Sequence, residues 1–155
     1  MAVRNEEGVV LRLSRRFAAP RERVFEAWTD PELLGIWWAA QPDWEGGEAE
    51  VDLRPGGRYR LAMRDPASGD VHTVVGEYRE VRPPERLAYT WTWDTNVDAM
   101  KGSEDTLVEV DFVEADGGTE VHLTHSGFAS EQLSEMHGHG WNGCLDNLER
   151  RVLSS

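Results

Sequence analysis

Residues 106–126 read TLVEVDFVEADGGTEVHLTHS, and this stretch decides the fold class. Apolar side chains recur at every second position on both sides of a central turn; they are Val108, Val110, Phe112, Val121 and Leu123. This period of two is typical of strands that bury one face. Asp116-Gly117 between them is a strong hairpin turn signal. The stretch therefore predicts two antiparallel strands with a shared buried face.

The chain before this hairpin predicts further strands of the same kind. Alternating apolar positions, separated by turns rich in Pro and Gly, occur over residues 9–17, 48–53, 59–63, 71–81 and 87–93. Within these stretches Tyr59, Leu61 and Met63 share one face of a strand, and Trp91 and Trp93 share one face of another. Because the connections are short, we expect one antiparallel sheet of about six to seven strands.

Helices are predicted at two places. Two short helices follow the first strand, since Pro20 and Pro31 both occupy first helical positions and Asp30 can cap the second helix. A longer helix is expected from about Ser130 to Leu153, with Trp141 and Leu145 on its apolar stripe. A long helix against a curved antiparallel sheet predicts an α+β grip around a central space, as a single domain over residues 1–155.

The charge balance excludes some classes of partner. The 155 residues include 29 acidic and 16 basic side chains, for a formal net charge of −13. Such a surface repels phosphate backbones and anionic lipids, so we expect no nucleic acid and no membrane as partners. Cys144 is the only cysteine, which excludes an intrachain disulfide. With no signal-like or membrane-spanning apolar run, the protein is expected to be cytoplasmic.

Three motifs resemble functional sites but lack the required context. Gly138–Gly143 spells G-x-G-x-x-G, yet it falls in a predicted helix without the strand that a dinucleotide site needs. The histidines lack the spacing of a metal-ligand pair, so no metal and no other cofactor is expected. Cys144 has no base at a fixed offset and is expected to be a small buried residue. The three glycines indicate either a helix that begins only near Trp141 or a close neighbour, such as a ligand, a cavity mouth or a strand.

His125 and the tryptophans are the residues that leave alternatives open. His125 shares the inward parity of Val121 and Leu123, so it is either a hydrogen-bonded core residue or a polar anchor in a cavity. The seven tryptophans form either an ordinary core or the wall of an apolar ligand site. Because the inner face lacks nearby acids, the imidazole of His125 is expected to be neutral at pH 7.

Several motifs resemble those of the family named for the activator of heat-shock protein 90 ATPase, within the START-like, Bet v-like superfamily (SRPBCC). The resemblance covers roughly residues 9–153 and rests on the segments at residues 19–20, 24–25, 27–34, 37–38, 54–57, 76–78, 86–87, 89–91, 118–121, 125–128, 140–141 and 145–148. It implies a helix-grip fold in which a C-terminal helix and a curved sheet enclose a hydrophobic cavity. Superfamily members bind lipids, hormones or polyketides, and some cyclise them.

Together these observations predict a non-enzymatic protein that binds a small, largely apolar molecule. The expected ligand-binding residues are Tyr59, Leu61, Met63, Trp91, Trp93, His125, Trp141 and Cys144. One alternative is a co-chaperone-like protein of the stress response with a chaperone partner, as the resemblance implies. Another is a cyclase- or hydrolase-like enzyme with His125 as general base. The chain is expected to be a monomer or a homodimer, with Trp44 as a candidate surface aromatic at a dimer contact.

Overall fold

The computed structural model describes residues 3–5, 8–94 and 105–153. The ends of the predicted 1–155 domain and residues 95–104 lie outside these described residues. The strands are β1 (Val3–Asn5), β2 (Gly8–Phe17), β3 (Glu45–Val51), β4 (Arg58–Arg64), β5 (Val71–Arg82), β6 (Arg86–Trp93), β7 (Thr106–Ala115) and β8 (Gly118–Phe128). The helices are α1 (Arg21–Thr29), α2 (Pro31–Trp37) and α3 (Glu131–Leu148), which continues into a π-helical segment, Glu149–Leu153.

All of these strands form one antiparallel sheet in the order β1-β2-β8-β7-β6-β5-β4-β3. The predicted antiparallel sheet of about six to seven strands is confirmed, with one additional short strand that brings the described residues to eight. The additional strand is β1, in which Arg4 pairs with Val9. Three residues are too few to show a period of two, so the sequence pattern did not reveal it.

The hairpin at residues 106–126 has the predicted register. Val110 pairs with Leu123, and Phe112 pairs with Val121, and all four side chains are buried. Asp116 and Gly117 both have positive φ, at 46° and 82°, as a two-residue turn between twisted strands requires. The buried face of this hairpin is therefore part of the hydrophobic core.

Register irregularities bend the sheet at three places: in β2 between Val9 and Val10, in β3 between Gly46 and Ala49, and in β5 between Tyr78 and Glu80. An extra residue on one strand increases the local twist and bends that strand. The sheet therefore curves around the buried face of α3.

The two short helices follow β2 as predicted, and Pro31 is the first residue of α2. Pro20, predicted at a first helical position, is instead the N-cap of α1, which begins at Arg21. The side chain of Asp30 accepts a 2.9 Å hydrogen bond from the backbone N–H of Glu32, which caps α2. Asp30 itself is extended, with φ −85° and ψ 118°, because a residue before proline is disfavoured in helical geometry. The break between α1 and α2 therefore originates in the Asp30-Pro31 pair.

The long helix is continuous from Glu131, with the Ser130 hydroxyl accepting from the backbone N–H of Leu133. It therefore does not begin near Trp141, and two of its three glycines, Gly138 and Gly143, have close neighbours instead. A Cβ on Gly143 would collide with the carbonyl oxygen of Ala40, in the segment between α2 and β3. Glycine at 143 thus lets this segment pack directly against the helix backbone.

Candidate functional site

A cavity of about 200 Å³ lies between α3 and the part of the sheet formed by β4, β5 and β6. The segment 38–44, between α2 and β3, forms one of its sides. The lining residues come from all three regions: Trp38, Ala40, Gln41, Trp44, Met63, His72, Trp91, Trp93, Met136, His137, Gly140, Trp141 and Cys144.

Strand parity and helical spacing bring these side chains together. Met63 of β4 pairs with His72 of β5, and Trp91 and Trp93 point inward from alternate positions of β6. On α3, Met136, Gly140 and Cys144 are spaced by four residues and so lie along one face.

The cavity has a buried interior and an exposed rim. Trp38, Met63, Trp91, Trp141 and Cys144 are each at most 3% exposed. The rim contains Gln41, which is exposed, and Met136, which is 36% exposed, together with half-buried side chains. Two of these rim side chains, Trp44 and His72, stack with ring centroids 5.3 Å apart and 14° between the ring planes.

The segment that carries Trp38 and Trp44 is anchored to the end of the long helix. The buried Asn147 side-chain amide donates to the carbonyl oxygens of Ala39 and Gln41, both at 2.9 Å. Arg151 donates to the carbonyl oxygens of Pro42 and Trp44 at 3.0 and 2.7 Å. These bonds satisfy backbone acceptors of the loop and fix one side of the cavity.

Five of the eight predicted ligand-binding residues line this cavity: Met63, Trp91, Trp93, Trp141 and Cys144. Tyr59 and Leu61 are buried but do not line it. The Tyr59 hydroxyl donates to the carbonyl oxygen of Thr90 at 2.6 Å, and its ring packs against Tyr78 and Tyr89. Tyr59 and Leu61 are on the predicted face of β4, but sheet curvature places that end of the strand in the core beside the cavity.

His125 points inward as predicted and is fully buried, but it is not part of the cavity wall. Its Nδ1 accepts a 3.1 Å hydrogen bond from the indole N–H of Trp141. The other nitrogen, Nε2, therefore carries the proton and donates to the Thr106 hydroxyl at 2.8 Å. Both ring nitrogens are occupied, so of the two interpretations the hydrogen-bonded core residue fits.

Burial lowers the pKa of His125 well below its usual value, and nearby His137 lowers it further. The imidazole is therefore neutral at pH 7, as expected. A general base needs a free lone pair within reach of a substrate proton, and the lone pair of His125 is bonded to Trp141. This geometry does not provide the base that the enzymatic alternative requires.

His137 is a wall residue that sequence reasoning missed. Its Nε2 accepts from the indole N–H of Trp93 at 2.9 Å, so Nδ1 carries the proton and donates to the carbonyl oxygen of Leu133 at 2.8 Å. Burial lowers the pKa of His137, although its bond to Leu133 opposes that effect. The signal was its spacing of four residues from Trp141, which places both on one helix face.

Trp38 is the second important omission. It directly follows α2, which ends at Trp37, and its backbone has φ −70° and ψ 88°. This backbone geometry turns its indole toward Trp91 and Trp141, with centroids at 5.7 and 5.5 Å. Trp38 is 2% exposed, and it closes the inner end of the cavity.

The indole N–H groups in the aromatic core differ in their hydrogen bonds. Those of Trp28, Trp37, Trp93 and Trp141 each donate to an acceptor. The buried Nε1 atoms of Trp38 and Trp91 have no acceptor among the residues that the structure describes. Both of these unpaired donors belong to side chains of the cavity wall.

In the part of the chain that the structure describes, no Asp, Glu, Lys or Arg side chain lines the cavity. Burial raises the pKa of the Cys144 thiol to about 12, so the thiol is protonated at neutral pH. Within residues 3–5, 8–94 and 105–153, no three His, Cys, Asp or Glu side chains are grouped so as to hold a metal ion. The cavity is thus an uncharged, aromatic environment.

Comparison with known proteins identifies the family. The family model described as "Activator of Hsp90 ATPase homolog 1-like protein" matches residues 18–152. The chain belongs to this family. The START-like helix-grip fold that the sequence resemblance implies is therefore confirmed.

Solved structures of similar proteins agree with this assignment. A Chromobacterium violaceum protein is 27% identical, with a TM-score of 0.80 over 94% of this chain and 98% of its own. An AHSA1-like protein from Aeromonas hydrophila is 28% identical, with a TM-score of 0.72 over 90% of each chain. A Nitrosomonas europaea protein is 27% identical, with a TM-score of 0.73 over 91% of this chain and 92% of its own. None of the curated proteins matches the sequence.

None of the helices in the described residues combines the length and the apolar composition needed to cross a bilayer.

Proposed function

We propose that this member of the family binds a small, uncharged, largely apolar molecule in the cavity between α3 and the sheet, without converting it. The observation that carries the proposal is a space of about 200 Å³ whose described lining residues include five tryptophans and no Asp, Glu, Lys or Arg. Concave sites of this type, with predominantly aromatic walls and a few polar groups, are typical of small-molecule binding.

The volume sets the size of the ligand. A cavity of about 150 Å³ with apolar walls binds benzene. A space of about 200 Å³ therefore fits a molecule of one or two fused rings, and the exposed rim at Gln41 and Met136 provides the entrance.

Gly140 allows a direct test, because it lines the cavity and a Cβ there would contact only the Ala40 Cβ, at 4.0 Å. Gly140→Leu should fill the cavity with a side chain and abolish binding of naphthalene, measured by the change in tryptophan fluorescence on titration. Gly140→Ala is the matched control, since it adds one methyl group and should retain binding. Naphthalene binding that is equal in the wild type and in Gly140→Leu would refute the proposal.

A second candidate function is a co-chaperone-like interaction, which the description of the matched family favours. Its test is the ATPase rate of heat-shock protein 90 with and without this protein. A stimulated rate that survives Gly140→Leu would assign the interaction to the surface rather than to the cavity.

A further inference from the structure

We infer that the ligand carries a carbonyl-type oxygen that accepts hydrogen bonds from the indole N–H groups of Trp38 and Trp91. This inference rests on the proposed function and specifies the chemistry of the molecule that the same cavity takes. The ligand class is a neutral, one- or two-ring aromatic compound with an acceptor oxygen.

The first argument is the distribution of unpaired donors. Trp93 and Trp141 line the same cavity as Trp38 and Trp91, yet their N–H groups are satisfied by His137 and His125. A buried donor without an acceptor is rare and costly in proteins. Two such donors in the wall of one cavity are explained by an acceptor that arrives with the ligand.

The second argument is that no described residue supplies an acceptor for either N–H group. The Nε1 atoms of Trp38 and Trp91 are shielded from solvent, and no described residue accepts from them. The rings of Trp38 and Trp91 pack edge to face, with 66° between their planes. An N–H directed at a ring face makes only a weak bond, which a ligand oxygen would replace.

The third argument is geometric. The ring centroids of Trp38 and Trp91 are 5.7 Å apart, so one carbonyl oxygen with two lone pairs can accept from both indoles once their N–H groups turn toward it. Because both nitrogens are shielded, each indole must turn about χ2 to reach the oxygen. This torsion is broad for tryptophan, and the adjacent cavity provides the space.

The fourth argument concerns charge. Among the described residues, the wall offers N–H donors but no Lys or Arg side chain, so a carboxylate ligand would lose its hydration without gaining a counter-ion from them. It also offers no carboxylate to a cationic ligand. A neutral carbonyl matches the available donors and leaves no buried charge unpaired.

The test compares 1-indanone with indane, two-ring compounds of nearly equal shape that differ by the carbonyl oxygen. In NMR spectra of the ¹⁵N-labelled full chain, indanone should move the indole N–H resonances of Trp38 and Trp91 downfield relative to indane. The resonances of Trp93 and Trp141 are internal controls, because these N–H groups are already bonded. Equal spectra with both bound compounds would overturn the inference.

Affinities provide the second readout. The preference for indanone, expressed as the ratio of the two dissociation constants, should fall about three- to tenfold in Trp38→Phe and in Trp91→Phe. Trp44→Phe is the matched control at the rim and should keep the wild-type ratio. An unchanged ratio in both inner variants would overturn the inference, and if they fail to fold, the wild-type spectra decide.

The outcomes separate this inference from the proposed function. If both compounds bind but no indole responds to the carbonyl, the cavity binds apolar molecules and only the acceptor assignment fails. If neither compound binds, the proposed function fails and this inference fails with it.

Discussion

The indole N–H of Trp141 donates to Nδ1 of His125 over 3.1 Å, joining the long helix to β8 beneath the cavity. Trp141 faces the cavity on one side and His125 on the other, whereas His125 is fully enclosed and also bonds to Thr106. The sequence predicted that both residues contact the ligand, but in the structure only Trp141 lines the cavity. Trp141 belongs to the wall, and His125 supports it from behind.

Replacing His125 tests this division. His125→Phe keeps the ring but removes both hydrogen bonds, leaving the N–H of Trp141 unpaired, so the free energy of unfolding should fall by about 1–3 kcal/mol. Because His125 does not line the cavity, the affinity for naphthalene should change less than about threefold. Urea denaturation and fluorescence titration measure the two quantities.

His122→Phe is the matched control for this variant, since His122 is exposed on the opposite face of the same strand. It should leave the free energy of unfolding within about 0.5 kcal/mol of the wild type. If His125→Phe lost much of its ligand affinity while its stability stayed unchanged, His125 would be a ligand-binding residue and the division of roles would be wrong.

The two buried histidines predict a pH dependence of stability. Burial lowers the pKa values of His125 and His137 in the folded state below the usual 6.5. Below about pH 6.5 the unfolded chain therefore binds more protons than the folded chain. Stability from these groups is complete above that pH and decreases as the pH falls toward the folded-state values.

With both histidines contributing, the free energy of unfolding should fall by up to about 2.7 kcal/mol per pH unit below pH 6. Urea denaturation between about pH 5 and pH 7 measures this slope. In His125→Phe one of the two groups is gone, so the slope should be roughly halved. A free energy that is constant over this range would contradict the neutral, buried state of both rings.

How much of this site the sequence revealed depends on whether a residue is positioned by its own element. Strand parity correctly placed Met63, Trp91 and Trp93 on the inner face, because alternation is a local property of the backbone. Trp38 was missed because its direction is set beyond the end of α2, by a segment that Asn147 and Arg151 anchor from more than 100 residues away. Contacts between distant segments leave no periodic signal in a sequence.

The hydrogen-bond partner of His125 was unpredictable for the same reason. Parity showed that the ring points inward, and this orientation is confirmed. Its bonds to Trp141 and Thr106, however, require the relative placement of α3, β7 and β8. The fold, in contrast, follows from local alternation, turns and caps, and these signals predicted β2 to β8 and the three helices of the described residues.

The helix glycines should respond in opposite directions to the same substitution. Gly140→Ala meets no clash, and alanine is the better helix former, so the free energy of unfolding should rise by about 0.5–1 kcal/mol. Gly143→Ala would drive its methyl group into the carbonyl oxygen of Ala40, and the protein should be destabilised. Thermal unfolding of the two variants measures this contrast, and equal effects would mean that segment 38–44 moves freely away from α3.

Trp141→Ala should be costly and should also change ligand size selection. Trp141 is 2% exposed and packs against Trp28, Trp38 and Trp91, so its truncation should cost roughly 3–5 kcal/mol of stability. The lost volume joins the cavity, and binding should therefore shift from naphthalene toward three-ring compounds such as anthracene. If folded Trp141→Ala still prefers naphthalene, neighbouring core residues have moved into the volume that the indole vacated.

The Cys144 thiol reports on the opening of the cavity. It is buried in the wall, and its raised pKa of about 12, against 9.0 for a free thiol, lowers the thiolate fraction at pH 8 by roughly 1,000-fold. Since the thiolate is the reactive form, labelling by N-ethylmaleimide should be slower by at least this factor than in protein unfolded by guanidinium. The unfolded protein is the control for the intrinsic reactivity of the reagent.

Ligand should slow this labelling further, because any residual reaction requires the reagent to enter past Gln41 and Met136 at the rim. Saturating naphthalene is expected to reduce the labelling rate of the native protein, measured by intact mass spectrometry over time, and Gly140→Leu should reduce it without ligand. Labelling at the rate of the unfolded chain would mean that the cavity opens faster than the reagent reacts. Labelling that is slow but insensitive to naphthalene would mean that the thiol is reached by global unfolding and not through the cavity.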